Sequence, residues 1–190
     1  MSGPLSFHRS MPSRRLVHTR SIRIEAYARE NGLWDLEATL NDSKARDFRL
    51  ATGIRPAGEP VHNLRLVVTI DTHCNVVAAH AHSAAVPYPG QCGVIAPEYA
   101  KLIGLNLLHN FRKLAQERLG GIRGCTHLTE LANVLPTAAI QAFAGEVFKS
   151  HESPQHQETR PMQLDRCHAL RTDGPAVAQF YPRWATKSSA

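Results

Sequence analysis

The apolar residues change their spacing partway along the chain, and this change constrains the fold more than any other feature of the sequence. Between residues 33 and 40 apolar and polar residues alternate, which is typical of a strand with one buried face. After Pro97 apolar residues recur at helical spacing instead, as at Ile103, Leu107 and Phe111. Strands followed by helices predict an α+β fold, with two or three helices packed on one face of an antiparallel sheet of about four strands.

Two hairpins account for the predicted sheet. Residues 16–28 and 33–40 flank Asn31-Gly32, a pair that tolerates positive φ and favours a tight turn. The polar stretch from Asp42 to Pro60 contains several Gly and Pro residues and is interpreted as a loop. The second hairpin joins strands around Leu66 and Val77 through the turn 71–75, and we expect these strands to pair antiparallel.

Two main helices are predicted after the strands. Pro97 suits a first helical position, and Gly120-Gly121 ends the first helix. The second helix begins near Thr126, a reasonable N-cap, and Pro136 should kink or split it. The predicted contact between the helices and the sheet involves these side chains: Phe111, Leu131 and Leu135.

The chain is predicted to form one main domain. Residues 1–14 form a basic arm, and residues 15–148 form the α+β domain. Residues 149–163 are polar and proline-containing, which indicates a linker. Residues 164–184 form a C-terminal segment that we expect to pack on the domain.

Composition argues against two classes of partner. No apolar run approaches the roughly 20 residues that span a bilayer, and residues 1–14 lack the apolar stretch of a signal peptide, so no membrane partner is expected. The formal charge is +6 and the pI about 9.5, but the basic residues are scattered and only 6% of residues are aromatic. We therefore expect no nucleic-acid ligand. The expected location is the cytoplasm.

The cysteines indicate a reducing compartment. Cys74, Cys92, Cys125 and Cys167 are widely spread and form no Cys-x-x-Cys pair. Without a secretion signal, free or metal-bound thiols are favoured over a disulfide framework.

The segment Gly124-Cys125-Thr126-His127-Leu128 carries the strongest chemical signal, because it enters a helix from a glycine-rich turn. Backbone N–H groups and the helix dipole at that position favour a thiolate, which binds metals or attacks electrophiles. His62 precedes a strand, and Cys92 lies in a turn rich in Pro and Gly. Zinc accepts thiolate and imidazole ligands, so His62, Cys92, Cys125 and His127 form a candidate Zn or Fe site at one sheet edge.

Structural roles compete with each of these interpretations. The four candidate ligands can be unrelated residues, with either cysteine acting as a small buried hydrophobe. Cys167 and His168 either close the site or belong to the packing of the C-terminal segment. Cys74 beside His73 is interpreted as an exposed surface pair. Three further polar pairs are more typical of an ordinary strand face than of a site. They are His18 with Arg20, which could bind an anion, Asp35 with Glu37, and His80 with His82.

Three motifs carry a family resemblance: residues 31–37, residues 58–62 and residues 124–131. The closing segments 164–169 and 181–184 add to it. On these motifs the chain, from about residue 15 to residue 184, is identified as a member of the bacterial family catalogued as domain of unknown function 2889. That family brings no established activity.

From about residue 61 to residue 147 the chain also resembles U-type iron–sulfur cluster scaffold proteins. In this resemblance His62 replaces the first cysteine, and Asn63 stands where those proteins have an aspartate. Cys92 and Cys125 match the second and third cysteines, while His127 follows Cys125 where the scaffold histidine precedes it. The resemblance implies a scaffold-like fold and a site that holds Zn or Fe without assembling clusters.

Three functional classes follow from these observations. The first is a metal- or thiol-bearing binding protein with a scaffold-like site, whose partner is an unknown protein or small molecule. The second is a small enzyme in which Cys125 is a nucleophile or a bound metal activates water. The third is a non-catalytic interaction module. Convergence of the four candidate ligands would favour the first two classes.

Overall fold

The structure is a computed structural model that describes residues 13–148 and 159–186. The chain divides into two compact units, Met1–Gln141 and Ala142–Ala190. Most of the predicted basic arm and of the predicted linker lie outside the described residues.

The first unit contains a four-stranded antiparallel sheet and a separate two-stranded hairpin. The sheet order is β1-β2-β5-β6, and the hairpin pairs β3 with β4. This arrangement confirms the predicted α+β class and both long hairpins. The strands are β1 (His18–Ala28), β2 (Trp34–Lys44), β3 (Phe48–Leu50), β4 (Gly53–Arg55), β5 (Pro60–Ile70) and β6 (Val76–Ala85).

The first hairpin turns at Asn31-Gly32, as predicted. Gly32 has φ +80°, which a residue without a Cβ adopts without strain. The Arg29 N–H donates to the Leu33 carbonyl at 2.8 Å, and the Gly32 N–H donates to the Arg29 carbonyl at 3.0 Å. These bonds set the register of β1 against β2, which in turn places the polar residues at the far end of the hairpin.

The prediction of a loop from Asp42 to Pro60 was wrong. Strand β2 continues to Lys44, the hairpin of β3 and β4 occupies the middle of the segment, and β5 already begins at Pro60. His62 therefore lies within β5 rather than before it. The Gly and Pro residues do make turns here, since Gly53 and Gly58 have positive φ, but short strands fit between those turns.

One face of the sheet is buried and forms the core of the first unit. The alternation of β2 places Leu36, Ala38 and Leu40 on this face, all with no solvent exposure. Leu64 and Leu66 of β5 lie opposite Leu40 and Ala38 on the same face. The helical residues predicted to pack here are also buried: Phe111, Leu131 and Leu135.

The first predicted helix is shorter than expected. A 3-10 helix covers Cys92–Leu102, and α1 covers only Phe111–Leu119. Between them Gly104 has φ +83° and Asn110 has φ 52°, two left-handed residues that interrupt helical geometry. Gly120 ends α1 as predicted.

Helix α2 (Thr126–Phe143) passes through Pro136, so this proline does not split the helix, and the alternative prediction of a kink stays a prediction. Leu135 and Ala139 on either side are buried, and this packing favours a continuous helix over the lost backbone hydrogen bond. The last residues of α2 belong to the second unit.

The second unit also contains the 3-10 helix His168–Leu170, α3 (Pro175–Phe180) and the 3-10 helix Pro182–Trp184. Leu164 and Val177 are buried. That residues 164–184 pack on the main domain stays a prediction.

Across the described residues, no helix combines the length and apolarity that crossing a bilayer requires.

Candidate carboxylate–histidine site

The site begins as a row of three residues across three neighbouring strands. Arg20 of β1 lies directly opposite Asp42 of β2, and Asp42 lies directly opposite His62 of β5. Asp42 shares the inward-facing positions of β2 with Leu40. At this end of the sheet the buried face therefore changes from apolar to polar.

The Asp42 carboxylate is the centre of the site. It is only 3% exposed, so it needs charged or hydrogen-bonding partners to remain ionised. Arg20 supplies them side-on, with Nε donating to Oδ1 and Nη2 donating to Oδ2, both at 2.8 Å. The Arg20 hydrogen bonds are the largest influence that holds the pKa of Asp42 well below its usual range, against the opposing effect of burial.

Two histidines complete the hydrogen bonding of this carboxylate. His18 Nε2 donates to Oδ1 at 2.9 Å, and His62 Nδ1 donates to Oδ2 at 3.1 Å. An ionised carboxylate only accepts hydrogen bonds, so the proton of His18 is on Nε2 and the proton of His62 is on Nδ1. His18 and Arg20 were interpreted as residues of a solvent-facing strand, whereas their side chains bind this buried acid.

His127 reaches the same carboxylate from the first turn of α2. Its ring centroid is 4.0 Å from that of His62, and its Nε2 is 3.9 Å from Asp42 Oδ2. Burial is the largest influence that lowers the pKa of His127, and the nearby His62 and Arg20 lower it further. The ring is therefore kept in the neutral form that binds metals.

Glu130 connects the second turn of α2 to the row formed by Arg20, Asp42 and His62. Its carboxylate accepts a 2.6 Å hydrogen bond from Arg20 Nη1. Arg20 thus bridges two acids, one in the sheet and one in the helix, so the start of α2 lies over the polar end of the buried face.

Tyr99 holds the chain at the point where α2 begins. Its hydroxyl donates to the Cys125 carbonyl at 2.8 Å and accepts from the Cys125 N–H at 3.0 Å. The hydroxyl also lies 2.9 Å from Thr129 Oγ1, within the buried interior. Burial is the largest influence on the pKa of Tyr99, which is raised, so the group stays a neutral phenol. This anchor fixes the position of His127 on the first turn.

The Cys125 thiol lies beside the histidine cluster, with Sγ 3.9 Å from His127 Nδ1. Helix α2 begins at Thr126, so Cys125 is the residue before it, and the Thr129 N–H donates to the Cys125 carbonyl. His127 accordingly has a thiol near one ring nitrogen and the Asp42 carboxylate near the other.

Within the described residues, one group of side chains has the arrangement of metal ligands. Asp42, His62 and His127 each offer one ligand atom, and these atoms lie within 4.8 Å of one another. Of the four ligands predicted from sequence, His62 and His127 are in this group and Cys125 is adjacent to it. Cys92, at the start of a 3-10 helix, contributes no ligand atom to it. The four-residue ligand set stays a prediction.

Sequence reasoning missed Asp42 because the residue sits where polar composition indicated a loop. A signal was present, since the alternation from Trp34 through Leu36, Ala38 and Leu40 continues to Asp42 without a break. A carboxylate at the next inward position of a buried strand face calls for a specific partner.

The other sequence candidates lie apart from this cluster. Cys74 was predicted to be exposed but is fully buried, and burial raises the pKa of its thiol to about 11. Cys167 is exposed in the second unit. His80 and His82 are exposed on β6, opposite Val67 and Arg65.

A cavity of about 390 Å³ opens beside the cluster. Its residues come from β1, β2, β3 and β5, from the segment after β6 and from the first turn of α2. The polar side chains are His18, Arg20, Asp42, Lys44, His62 and His127, and the apolar part is formed by Phe48, Leu50, Val61, Pro87 and Tyr88.

The fold and the cluster together define an α+β protein with a carboxylate and histidines at one end of its buried sheet face. The chain belongs to the family described as "Protein of unknown function (DUF2889)", whose model matches residues 18–141. The matched range includes Asp42, His62 and His127. No curated protein and no solved structure is significantly similar to the chain.

Proposed function

We propose that this protein binds a divalent transition metal, Zn²⁺ or Fe²⁺, through Asp42, His62 and His127. The observation that carries the proposal is the spacing of the ligand atoms. Asp42 Oδ2 lies 3.1 Å from His62 Nδ1 and 3.9 Å from His127 Nε2. Two ligands at zinc-bond distances of about 2.0–2.1 Å in a tetrahedral site are roughly 3.4 Å apart, so the two separations bracket the required value.

The surroundings also suit a metal centre. A metal held by His62 and Asp42 would displace the proton that Nδ1 now shares with the carboxylate, and in a neutral imidazole this proton would move to Nε2. The lowered pKa of His127 reduces proton competition for its ring. Arg20 and His18 hydrogen-bond to the carboxylate and orient it, as supporting groups do in metal sites.

Two histidines and one carboxylate leave coordination positions for water or a ligand. That donor set is used by catalytic zinc sites and by non-haem iron sites, whereas closed structural zinc sites have four protein ligands. The geometry therefore supports an open binding centre more than a closed structural one.

The test is metal analysis of protein prepared without a polyhistidine tag, followed by calorimetric titration of the chelator-treated protein with Zn²⁺ and, without oxygen, Fe²⁺. We expect about one ion per chain, with His62→Gln and His127→Gln each weakening binding at least about 100-fold, more than the loss of a supporting residue causes. His82→Gln is the matched control, because His82 is exposed and outside the cluster. Binding by both site variants equal to that of the wild type would refute the proposal.

A second candidate function is thiol chemistry at Cys125. Cys125, His127 and Asp42 follow one another as nucleophile, base and orienting acid, with separations of 3.9 Å on both sides of the imidazole. The rate of Cys125 alkylation by iodoacetamide tests this function, and it should fall in His127→Gln. Cys125→Ser separates the two functions. If the variant still binds metal, the thiol is not a ligand. If metal binding is lost, Cys125 is a ligand, as the sequence predicts.

A further inference from the structure

We propose that the cavity beside the cluster binds a small organic carboxylate with a flat apolar body. The inference deepens the proposed metal-binding function, since the metal would form part of one wall. It rests on three features of the cavity: the separation of its lining into a polar and an apolar part, the charge of Lys44, and the hydrogen bonds that hold the hairpin of β3 and β4 in place.

The lining separates into a polar part and an apolar part. The histidines and Asp42 form the polar part, whereas Phe48, Leu50, Val61 and Tyr88 bring aromatic and aliphatic surface. A volume of about 390 Å³ lies within the range of small-molecule sites, which combine apolar walls with a few polar groups. A ligand that fits this lining has one polar end and one apolar end.

Lys44 determines which charge the polar end of the ligand should carry. Arg20 is already engaged by Asp42 and Glu130, while no carboxylate in the described part of the chain forms an ion pair with Lys44. The Lys44 Nζ lies 5.1 Å from the centre of the Phe48 ring, which places the cation beside the apolar wall. One unneutralised ammonium in a half-buried position favours a ligand with one negative charge.

The apolar wall is attached to the rest of the domain rather than projecting freely. Thr52, in the turn between β3 and β4, donates its hydroxyl to the Pro87 carbonyl at 2.8 Å. At the other end the Gly58 N–H donates to the Lys44 carbonyl at 2.9 Å, and the Ala57 N–H donates to Asp47 Oδ1 at 3.0 Å. Phe48 and Tyr88 are thus carried by segments that are hydrogen-bonded to each other or to β2.

These features assign an orientation to the ligand. The carboxylate would lie between Lys44 and the histidine cluster, within reach of the open positions of a bound metal. The apolar body would lie against Phe48 and Tyr88. In the absence of a metal, a dianionic phosphate ester would bring a second charge for which the cavity offers no further free side-chain cation among the described residues.

The experiment uses benzoate as the probe, titrated into Zn²⁺-treated and chelator-treated protein and followed by calorimetry and ligand-observed NMR. We expect saturable binding to the Zn²⁺-treated protein with a Kd of about 0.1–1 mM, a reasonable affinity for so small a ligand. Lys44→Met should weaken it at least about tenfold, as should replacing benzoate by neutral benzyl alcohol. Lys113→Met is the matched control, because Lys113 is an exposed lysine of α1 outside the cavity.

The outcomes separate this inference from the metal proposal. Zn²⁺ binding without saturable benzoate binding overturns the carboxylate site alone. Lys44-dependent benzoate binding by protein that takes up no Zn²⁺ supports the cavity and refutes the metal centre. Equal binding of benzoate to wild type and Lys44→Met overturns the assignment of a monoanionic carboxylate. So does tighter binding of phenyl phosphate than of benzoate to the chelator-treated protein, in which the side chains alone supply the charge.

Discussion

Arg20 and Asp42 are direct cross-strand neighbours, and the guanidinium of Arg20 donates a hydrogen bond of 2.8 Å to each oxygen of the Asp42 carboxylate. Such two-point pairing fixes the rotation of the carboxylate as well as its position. Since Arg20 also binds Glu130, one side chain joins the outer strand of the sheet to α2. The geometry of the candidate metal ligands therefore depends on a residue that is not itself a ligand.

Removal of this pairing should destabilise the fold. Arg20→Gln leaves a carboxylate that is 3% exposed without its strongest partner, and we expect a loss of about 2–4 kcal/mol in the free energy of unfolding. Arg23→Gln is the matched control, because Arg23 pairs with Glu25 on the exposed side of β1 and should cost under about 0.5 kcal/mol. Urea denaturation measures both, and equal small losses would contradict the central role of Arg20.

The stability of the protein should fall in acid because of Asp42. Its folded pKa lies below the unfolded value of about 3.9, so its contribution is present above that pH and is lost as the pH falls. His127 acts in the same direction below about pH 6.5, because the unfolded chain takes up a proton there more readily than the folded protein does.

The comparison that isolates Asp42 is the pH dependence of Asp42→Asn. Between about pH 5 and pH 2 the wild type should lose more stability than the variant, which has no carboxyl to titrate at this position. Denaturation curves at several pH values measure the difference. Parallel pH profiles for the two proteins would show that Asp42 is not held ionised by the fold.

Tyr99→Phe should loosen the start of α2. The substitution removes the hydroxyl that bonds both the carbonyl and the N–H of Cys125, so we expect a loss of about 1–3 kcal/mol in unfolding free energy. Zn²⁺ affinity should fall too, since His127 lies two residues beyond Cys125. Tyr27→Phe, at an exposed position of β1, serves as the control in the same thermal and calorimetric measurements. Unchanged stability in Tyr99→Phe would show that this hydroxyl does not anchor the start of α2.

The thiols should differ in reactivity according to burial. Cys74 is fully buried with its pKa raised to about 11, so iodoacetamide at pH 8 should leave it unmodified in the native protein. Exposed Cys167 should be alkylated under the same conditions. Peptide mass mapping identifies the modified residues, and denatured protein, in which all four thiols react, is the reference. Rapid native modification of Cys74 would contradict its burial.

The strands and the two main helices could be predicted because their apolar spacing is regular. Leu36, Ala38 and Leu40 show strand alternation whatever lies next to them in space. Breaks in helices were harder to predict, because the left-handed residues Gly104 and Asn110 interrupt a sequence with otherwise helical spacing. Here the apolar residues keep helical spacing although the backbone is not helical at these two residues.

The site was only half predictable for a related reason. His62 and His127 could be identified as ligand types at suggestive positions. Asp42 could be found only through its register against Arg20 and His62, which depends on pairing between distant segments. Likewise, nothing local to Cys74 shows that its hairpin turn is covered by the rest of the domain.

The irregular pairing of β2 with β5 has a consequence for how this site is encoded. Asp42 pairs with His62 and Ser43 with Pro60, so β5 carries one additional residue, Val61, at this point. In a regular strand two successive side chains face opposite ways, yet Val61 and His62 both line the cavity. The site is therefore specified by the number of residues as well as by their types. A one-residue deletion at Val61 would conserve every histidine and acid of the cluster and keep Asp42 opposite His62, but it would remove the additional residue and with it one apolar side chain of the cavity.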